Sequence, residues 1–371
     1  MKTGDADHVE RRSAYLPIST PQVKKFVHSG HAAAVDAGQA GSHKQAMHSD
    51  QAVILAQPYA GLQAQAAGLA DRAGLKQSVH ALQARAPWRW LPTSLWPATL
   101  SAVEPLGPLP DGLLMTVGGV GAAVGAVLRT RGRRVVQIQN PRMRLDRFDL
   151  VVANTHDELQ GPNVLISRNA LHRVDAARLQ AARALWLPRL AHLPRPLVAV
   201  LVGGSNGRYR LDAASGAALA IRLAGMMRAD HVGLMLTPSR RTDPEVVQAL
   251  DAALTPLGGW IWDQQGDNPY LGMLACADAI IVTTDSVSMI SEAAATSVPV
   301  MVADLPGRSR RIGLFVRTLQ QAGRIRRYDG RLEQWQARAL DDTPAVAHEM
   351  LRRLGMGERT DADQGFRAGN E

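Results

Sequence analysis

The chain has 371 residues, 46% of them hydrophobic and 20% charged, with a formal net charge of +9. That length suffices for two domains, and the one cysteine, Cys276, excludes an intramolecular disulfide and a cysteine-based zinc site. No apolar run approaches the roughly 20 residues of a membrane span and no secretory signal opens the chain. The expectation is a cytoplasmic protein with anionic partners, with peripheral contact at the inner face of a membrane left open.

In chain order, residues 1–50 are polar and irregular. His8, His28, His31, His43 and His48 fall at neither helical nor hairpin spacing, so the segment reads as a disordered extension. A strand is expected over the AVILAQ run from Ala52 to Gln57, and a helix over Leu62–Ala73, with Leu62, Ala66 and Leu69 at helical spacing. Leu75–Leu82 is a second strand candidate. Ala86–Leu100 holds Trp88, Trp90 and Trp96 among prolines and reads as loop and short helices, packed or facing a membrane. Leu113–Val117 is a strand, and the glycine loop Gly118–Gly121 leads into a helix over Ala122–Arg131. Further strands are expected over Arg134–Asn140, Asp149–Asn154 and Val164–Ser167. Residues 175–195 form a helix and then a proline-punctuated linker, Leu187–Pro196, where the domain boundary is placed.

The second half repeats the alternation. Strands are expected over Leu197–Gly203, Val232–Thr237, Gly259–Asp263, Ala279–Thr284 and Pro299–Asp304. The helices between and after them are Ala213–Ala229, Pro244–Thr255, Leu271–Ala277, Val287–Thr296 and Arg308–Ala322, with one or two more over 333–354. The organisation that follows is an extension over 1–50, an acceptor-side domain over 51–190 and a nucleotide-binding domain over 196–332. Residues 333–355 would pack back on the first domain, and 356–371 form a disordered tail. Two alternating halves imply an α/β protein with two Rossmann-like doubly wound parallel sheets facing across a cleft, the GT-B-like architecture.

The polar residues collect where strands give way to helices, which is where ligands bind in parallel α/β sheets. Asp285, Ser286, Ser288 and Glu292 stand at such a junction, with Asn268 and Tyr270 in the turn ahead of the preceding helix. Free N–H groups and the positive helix end there suit phosphate, and a carboxylate one turn in, Glu292, can accept from ribose hydroxyls. Asp285 or Ser286 can also simply cap the helix. Gly203, Gly204, Ser205 and Asn206 follow the first strand of the second half, where glycines allow close approach to a ligand; the lysine of a P-loop is missing. Ser239, Arg240 and Arg241 follow the next strand, and two arginines there can neutralise a diphosphate leaving group without a metal. Asp-x-Asp pairs occur only as Asp5–Asp7 and Asp361–Asp363, in the tails. His156 and Asp157 close a strand of the first half and suit activation of an acceptor hydroxyl. Gly118–Gly121 does not complete a dinucleotide fingerprint, and no tyrosine has a lysine four residues on, so an epimerase or reductase site is disfavoured. Specific nucleic-acid binding has no aromatic platform or module behind it, and nothing specifies an oligomeric state.

The runs GGSNGRY, TPSRRT, VQIQNPR and DNPYLGMLACADAIIVTTDSVSMISEAAATSVPV closely resemble the mitochondrial-fission "elongated mitochondria" family, from about Val53 to Val346. Bacterial members of that family often carry nucleoside-diphosphate-sugar epimerase labels, and its plant member is implicated in recruiting a fission dynamin at the mitochondrial surface. The helix bearing Ser286, Ser288 and Glu292 is similar to the donor-binding segment of the peptidoglycan UDP-N-acetylglucosamine transferase. That resemblance implies ribose on Glu292 and diphosphate or sugar on the serines. Gly61 and Gln65 match the family's acceptor-side loop, while Gln57 stands in place of its acid and Thr155 in place of the Glu of its Glu-His-Asp. The expectation is a metal-independent glycosyltransferase using a nucleotide-diphosphate sugar as substrate and no cofactor, on an acceptor that is membrane-associated in one version. The alternative is a non-catalytic binding or scaffold protein of the same shape.

Overall fold

Long apolar runs become strands buried on both faces, as a parallel sheet covered by helices requires. The structure, a computed structural model, describes residues 50–356. The five histidines before residue 50, both Asp-x-Asp pairs and the expected tails lie outside the described residues.

The first sheet comprises β1 (Gln51–Ala56), β2 (Lys76–Ala81), β3 (Leu113–Val117), β4 (Val135–Ile138), β5 (Leu150–Asn154) and β6 (Val164–Ser167). All pairs are parallel, in the order β2-β1-β3-β4-β5-β6. Helix α1 (Ala60–Arg72) covers one face and α2 (Gly118–Thr130) the other. The glycines Gly118–Gly121 are not a loop but the first turn of α2. A side chain at Gly121 would press on Leu55 and Thr116 of the strands beneath, so this glycine serves helix-on-sheet packing. Residues 88–102 form three short 3-10 turns, and the Trp96 indole donates to the Trp88 carbonyl at 3.1 Å.

The second sheet comprises β7 (Leu197–Val202), β8 (Gly233–Pro238), β9 (Trp260–Ile261), β10 (Ala279–Thr283), β11 (Val300–Ala303) and β12 (Ile325–Arg327), in the order β12-β11-β10-β7-β8-β9, again all parallel. Helices α3 (Ala176–Trp186), α6 (Tyr270–Cys276), α7 (Val287–Ala294) and α8 (Arg310–Gln321) lie on one face. Helices α4 (Ala213–Asp230) and α5 (Pro244–Leu254) lie on the other. The two Rossmann-like, doubly wound sheets of a GT-B-like fold are therefore present. Their strand order reverses between β1 and β3 in the first sheet and between β7 and β10 in the second. These are the points at which the carboxyl ends of strands leave a crevice.

The chain changes domain earlier than Leu187. Val174, Trp186, Leu190 and Leu193 are buried in the core of the second sheet, so α3 belongs to the second domain. It ends the other way round: residues 328–342 form an irregular strap and a single helix, α9 (Thr343–Arg353), which buries Val346, Ala347 and Met350 against the first sheet's core. The strap is tied where it crosses back. Asn169 donates to the Leu340 carbonyl at 3.1 Å, and Arg72 pairs with Asp341 at 3.2 Å.

Gly272 of α6 lies against the ring of Trp186, and a Cβ there would stand 2.2 Å from the indole. Alanine is the better helix former by about 1 kcal/mol, yet Gly272→Ala should destabilise the protein by about 1–3 kcal/mol through overpacking. A urea midpoint at or above that of the wild type would contradict this packing.

Candidate functional site

The register of β7 and β10, Val198–Leu201 against Ala279–Val282, ends the two strands level and sets the loops after them side by side. The buried Asp285 side chain joins those loops. Its carboxylate accepts from the Gly204 N–H at 3.0 Å, the Thr283 hydroxyl at 2.7 Å and the Arg241 guanidinium at 3.2 Å. Thr283 in turn accepts from the Gly203 N–H at 2.8 Å. A Cβ at Gly203 would sit 2.2 Å from that carboxylate, and one at Gly204 would sit 2.2 Å from the Arg241 carbonyl. The two glycines thus admit Asp285 and Arg241 rather than a ligand, and both N–H groups are already occupied.

The rest of that loop is pinned from within. Ser205 exchanges hydrogen bonds with the Leu211 backbone, and Asn206 accepts from the N–H groups of Arg208 and Tyr209 at 2.8 and 2.9 Å. Ser239 braces the next loop, its N–H donating to Thr242 at 2.8 Å and its hydroxyl accepting from the Arg241 N–H at 3.2 Å. The loop after β11 then zips onto the first of these: Arg210 donates to the Pro306 carbonyl at 2.8 Å and Arg308 to the Arg208 carbonyl at 3.1 Å. That pairing sets Arg208 and Arg308 beside one another, and both line the cleft.

Helix α7 is fixed at both ends. Ser286 caps its start, accepting from the Met289 N–H at 3.4 Å. At its end the buried Arg324 donates to the carbonyls of Ala293, Ala294 and Thr296 at 2.8–3.0 Å, a cation on the negative end of the helix. Burial lowers the Arg324 pKa to about 10. Gly61 at the start of α1 comes up against Ser288 at the start of α7, so two helix amino termini from opposite domains converge.

Between the domains lies a cleft of about 750 Å³, within the range of small-molecule sites. Gly61, Gln65, Gln139, Arg142, Asn154 and His156 line it from the first domain, and Arg208, Arg241, Asp285, Ser286, Ser288 and Arg308 from the second. Arg310 and Arg311 stand at its rim, where Arg311 pairs with the Asp157 carboxylate at 2.6 Å and Arg310 with Glu158 at 2.9 Å. Asp157 also accepts from the Asn154 N–H at 3.2 Å, so its carboxylate is committed to structure. Among the described residues the guanidinium groups of Arg142, Arg208 and Arg308 have neither an ion pair nor a hydrogen bond. A second depression, about 780 Å³ and more open, lies at the amino ends of β7, β10 and β11 by Arg195, Asp278 and Trp335. It holds one ion pair and no converging polar loops.

His156 is 5% exposed, with its ring edge-on to Phe315 at 5.3 Å. Burial and the charge of Arg311 push its pKa down to about 4 against the pull of Asp157, so the imidazole is neutral at pH 7. Its Nδ1 and the Nδ2 of Asn154 are buried without a partner among the described residues. Glu292 lies outside the cleft lining and accepts a hydrogen bond from the Tyr270 hydroxyl. Some surface remains on both side chains, but the packing around the carboxyl is dense enough for burial to push it up to about 7.

Of the residues expected from sequence, Gly61, Gln65, His156, Arg241, Asp285, Ser286 and Ser288 are brought together at the cleft. Gly203, Gly204, Ser205, Asn206 and Ser239 shape the loops behind it. Arg240 is exposed and outside the lining, and Asn268, ahead of α6, accepts from the Tyr270 N–H at 2.9 Å. Arg142, Asn154, Arg208, Arg308 and Arg311 were not anticipated. The signal for Arg308 was available: Gly-Arg-Ser-Arg-Arg after β11 obeys the same strand-end rule that selected Ser-Arg-Arg-Thr. No cluster of three or more His, Cys, Asp or Glu able to hold a metal occurs among the described residues, and no helix among them is long and apolar enough to cross a membrane.

Residues 60–354 match the family described as mitochondrial fission ELM1. The mitochondrial fission protein ELM1 of Arabidopsis thaliana is 34% identical over 252 residues, which cover 59% of this chain and 58% of the plant protein, so the chain spans little more than half of that relative. An uncharacterized protein of Rickettsia prowazekii is 25% identical over 281 residues, 64% of this chain and 78% of that protein. Among solved structures, MurG of Acinetobacter baumannii has a TM-score of 0.45 at 16% identity, covering 82% of this chain and 90% of its own. The UDP-GlcNAc 2-epimerase from Neisseria meningitidis bound to UDP-GlcNAc has a TM-score of 0.49 at 10% identity, covering 83% and 100%.

The two perturbed groups act on stability with opposite signs. Unfolded, His156 takes up a proton near 6.5, whereas folded it resists to about 4, so stability falls as pH drops from 6.5 towards 4. Folded Glu292 keeps its proton to about 7, whereas unfolded it releases it near 4.5, so stability falls as pH rises across that interval. Thermal melts from pH 4 to 8 should show His156→Gln losing the first dependence and Glu292→Gln the second. Curves parallel to the wild type would contradict these environments.

Proposed function

The chain belongs to the mitochondrial fission ELM1 family, and from that premise we propose that it binds a nucleotide-diphosphate sugar in the interdomain cleft and transfers the sugar to a hydroxyl. The observation that carries this reading is the unpaired Arg208–Arg308 couple beside the amino terminus of α7. Both guanidinium groups are exposed and without a partner among the described residues, so an incoming diphosphate can take charge-assisted, bidentate hydrogen bonds from them. Ser286 and Ser288 add hydroxyls and the positive end of the α7 dipole. Arg241 is already held by Asp285, so the leaving-group charge falls to Arg208 and Arg308 instead.

In the transfer, the acceptor oxygen attacks the anomeric carbon while the bond from that carbon to the diphosphate oxygen breaks. The electron pair leaves on the nucleoside diphosphate. The hydroxyl proton passes to His156, which is neutral in the free protein and becomes the stronger base once the donor phosphates offset the charge of Arg311. Ribose on Glu292 requires its hydroxyls to displace that of Tyr270, the carboxylate's present partner.

A second reading, nucleotide binding without transfer, is favoured by Asp157. In the arrangement expected of a His–carboxylate base it would orient the imidazole, but Arg311 and the Asn154 N–H occupy it. Calorimetry with UDP, GDP and CDP, followed by assay of sugar release, separates the readings. Arg208→Ala and Arg308→Ala should each weaken nucleotide binding by about 10–100-fold, the loss of a charge-assisted contact, while Arg240→Ala leaves it unchanged. Turnover abolished by His156→Ala with binding intact supports transfer. Binding without turnover supports the second reading, and no binding at millimolar nucleotide rejects both.

A further inference from the structure

The first-domain wall of the cleft carries groups that the donor reading leaves unused. Asn154 is 7% exposed and His156 5% exposed, yet Asn154 Nδ2 and His156 Nδ1 have no partner among the described residues and both residues line the cleft. Buried polar atoms are almost always satisfied within the protein, so two left without a partner in residues that line a cavity point to a group that enters it. Asn154 ends β5 and His156 follows two residues on, in the turn after it, and their chemistry is complementary. The amide N–H only donates, and in the tautomer that carries its proton on Nε2 the neutral imidazole accepts at Nδ1. A hydroxyl is the small group that accepts from one and donates to the other.

Arg142 supplies an independent observation on the same wall. It follows β4 and adopts φ 55°, the left-handed region that side chains other than glycine rarely occupy, and Gln139 of the same loop adopts φ 71°. The Arg142 N–H is held by Asn140 at 2.8 Å, while its guanidinium lines the cleft with no partner among the described residues. The side chain makes no hydrogen bond or ion pair among the described residues that would repay this backbone conformation in the free protein. Glycine would hold the turn with less strain, so the arginine is there for its guanidinium.

We propose that this wall is a second-substrate site for a hydroxyl compound that also carries an oxyanion. Asn154 and His156 take the hydroxyl, and Arg142 takes the oxyanion as a bidentate partner. The site stands on first-domain residues alone. Only its description as the acceptor side rests on the donor reading.

The test is calorimetry on the full chain with three probes: glycerol 3-phosphate, which has both groups, inorganic phosphate, which lacks the hydroxyl, and glycerol, which lacks the anion. Glycerol 3-phosphate should bind about tenfold or more tightly than either of the others. Arg142→Ala should weaken it by about tenfold or more, and Asn154→Ala should remove its advantage over inorganic phosphate. Arg142→Gly should lose binding while its melting temperature stays level or rises, which a structural role for the arginine would not allow. Saturating UDP should leave glycerol 3-phosphate binding in place. Equal binding of glycerol 3-phosphate and phosphate, indifference to Arg142→Ala, or competition with UDP would each overturn the proposal. If UDP fails to bind but glycerol 3-phosphate still binds through Arg142, the donor reading fails and the second-substrate site stands.

Discussion

The buried carboxylate of Asp285 is the constraint on which the second domain's ligand face depends. Removing an ionised carboxylate from water is expensive unless it is paired and fully hydrogen-bonded. Here the Gly204 N–H from the loop after β7, the Thr283 hydroxyl at the end of β10 and the Arg241 guanidinium from the loop after β8 meet that requirement. Three loops that would otherwise move independently are thereby fixed to one point. The consequence is geometric. With the loop after β7 held, its zippered contact with the loop after β11 places Arg208 against Arg308, and with Ser286 held, α7 begins at the cleft rather than beyond it.

The electrostatics of the cleft follow from where acids were placed. Asp285, Asp157 and Glu158 each neutralise an arginine, and each does so at a loop junction or a domain contact rather than in the open cavity. Arg142, Arg208 and Arg308 are left without such a partner among the described residues. Solvent screens a surface cation, but the walls of a cleft concentrate the field of several. The same arginine-rich composition that gives the chain its net charge therefore acts locally, in paired arginines that build the cleft and unpaired ones that line it.

Much of this was legible before the structure, for a physical reason. Strands buried on both faces are long apolar runs, and β1, β7 and β10 read as such. The strand-end rule found the start of α7. The edge strands β2, β6 and β9 were anticipated, but β12 was missed, because a three-residue strand with one apolar residue, Ile-Arg-Arg, leaves no pattern. The division between domains was misplaced because proline marks a turn in the backbone, not the surface a helix packs on. Trp186 and Leu190 decide that α3 belongs with the second sheet, and they do so through contacts with residues some 90 positions away, such as Gly272 and Ile280. Site residues divided in the same way. Type and local position identify a candidate, but whether Arg240 or Arg308 faces the cleft depends on a pairing between distant loops.

The roles of the glycines and of Asp157 show how far residue type underdetermines chemistry. Gly203 and Gly204 have the composition of a phosphate loop, yet their N–H groups are spent on Thr283 and Asp285. Asp157 beside His156 has the composition of a catalytic pair, yet Arg311 draws its carboxylate into a contact between domains. That contact has its own consequence for His156. The arginine that removes Asp157 from the imidazole also adds a positive charge nearby, and both effects disfavour the imidazolium. A histidine kept neutral in this way accepts a proton readily only when a negative charge arrives in the cleft to offset Arg311. On the donor reading proposed above, the phosphates of the donor supply that charge. On that reading the basicity of His156 is tied to occupancy of the opposite wall, and the two halves of the cleft are coupled by charge even though their binding groups are separate.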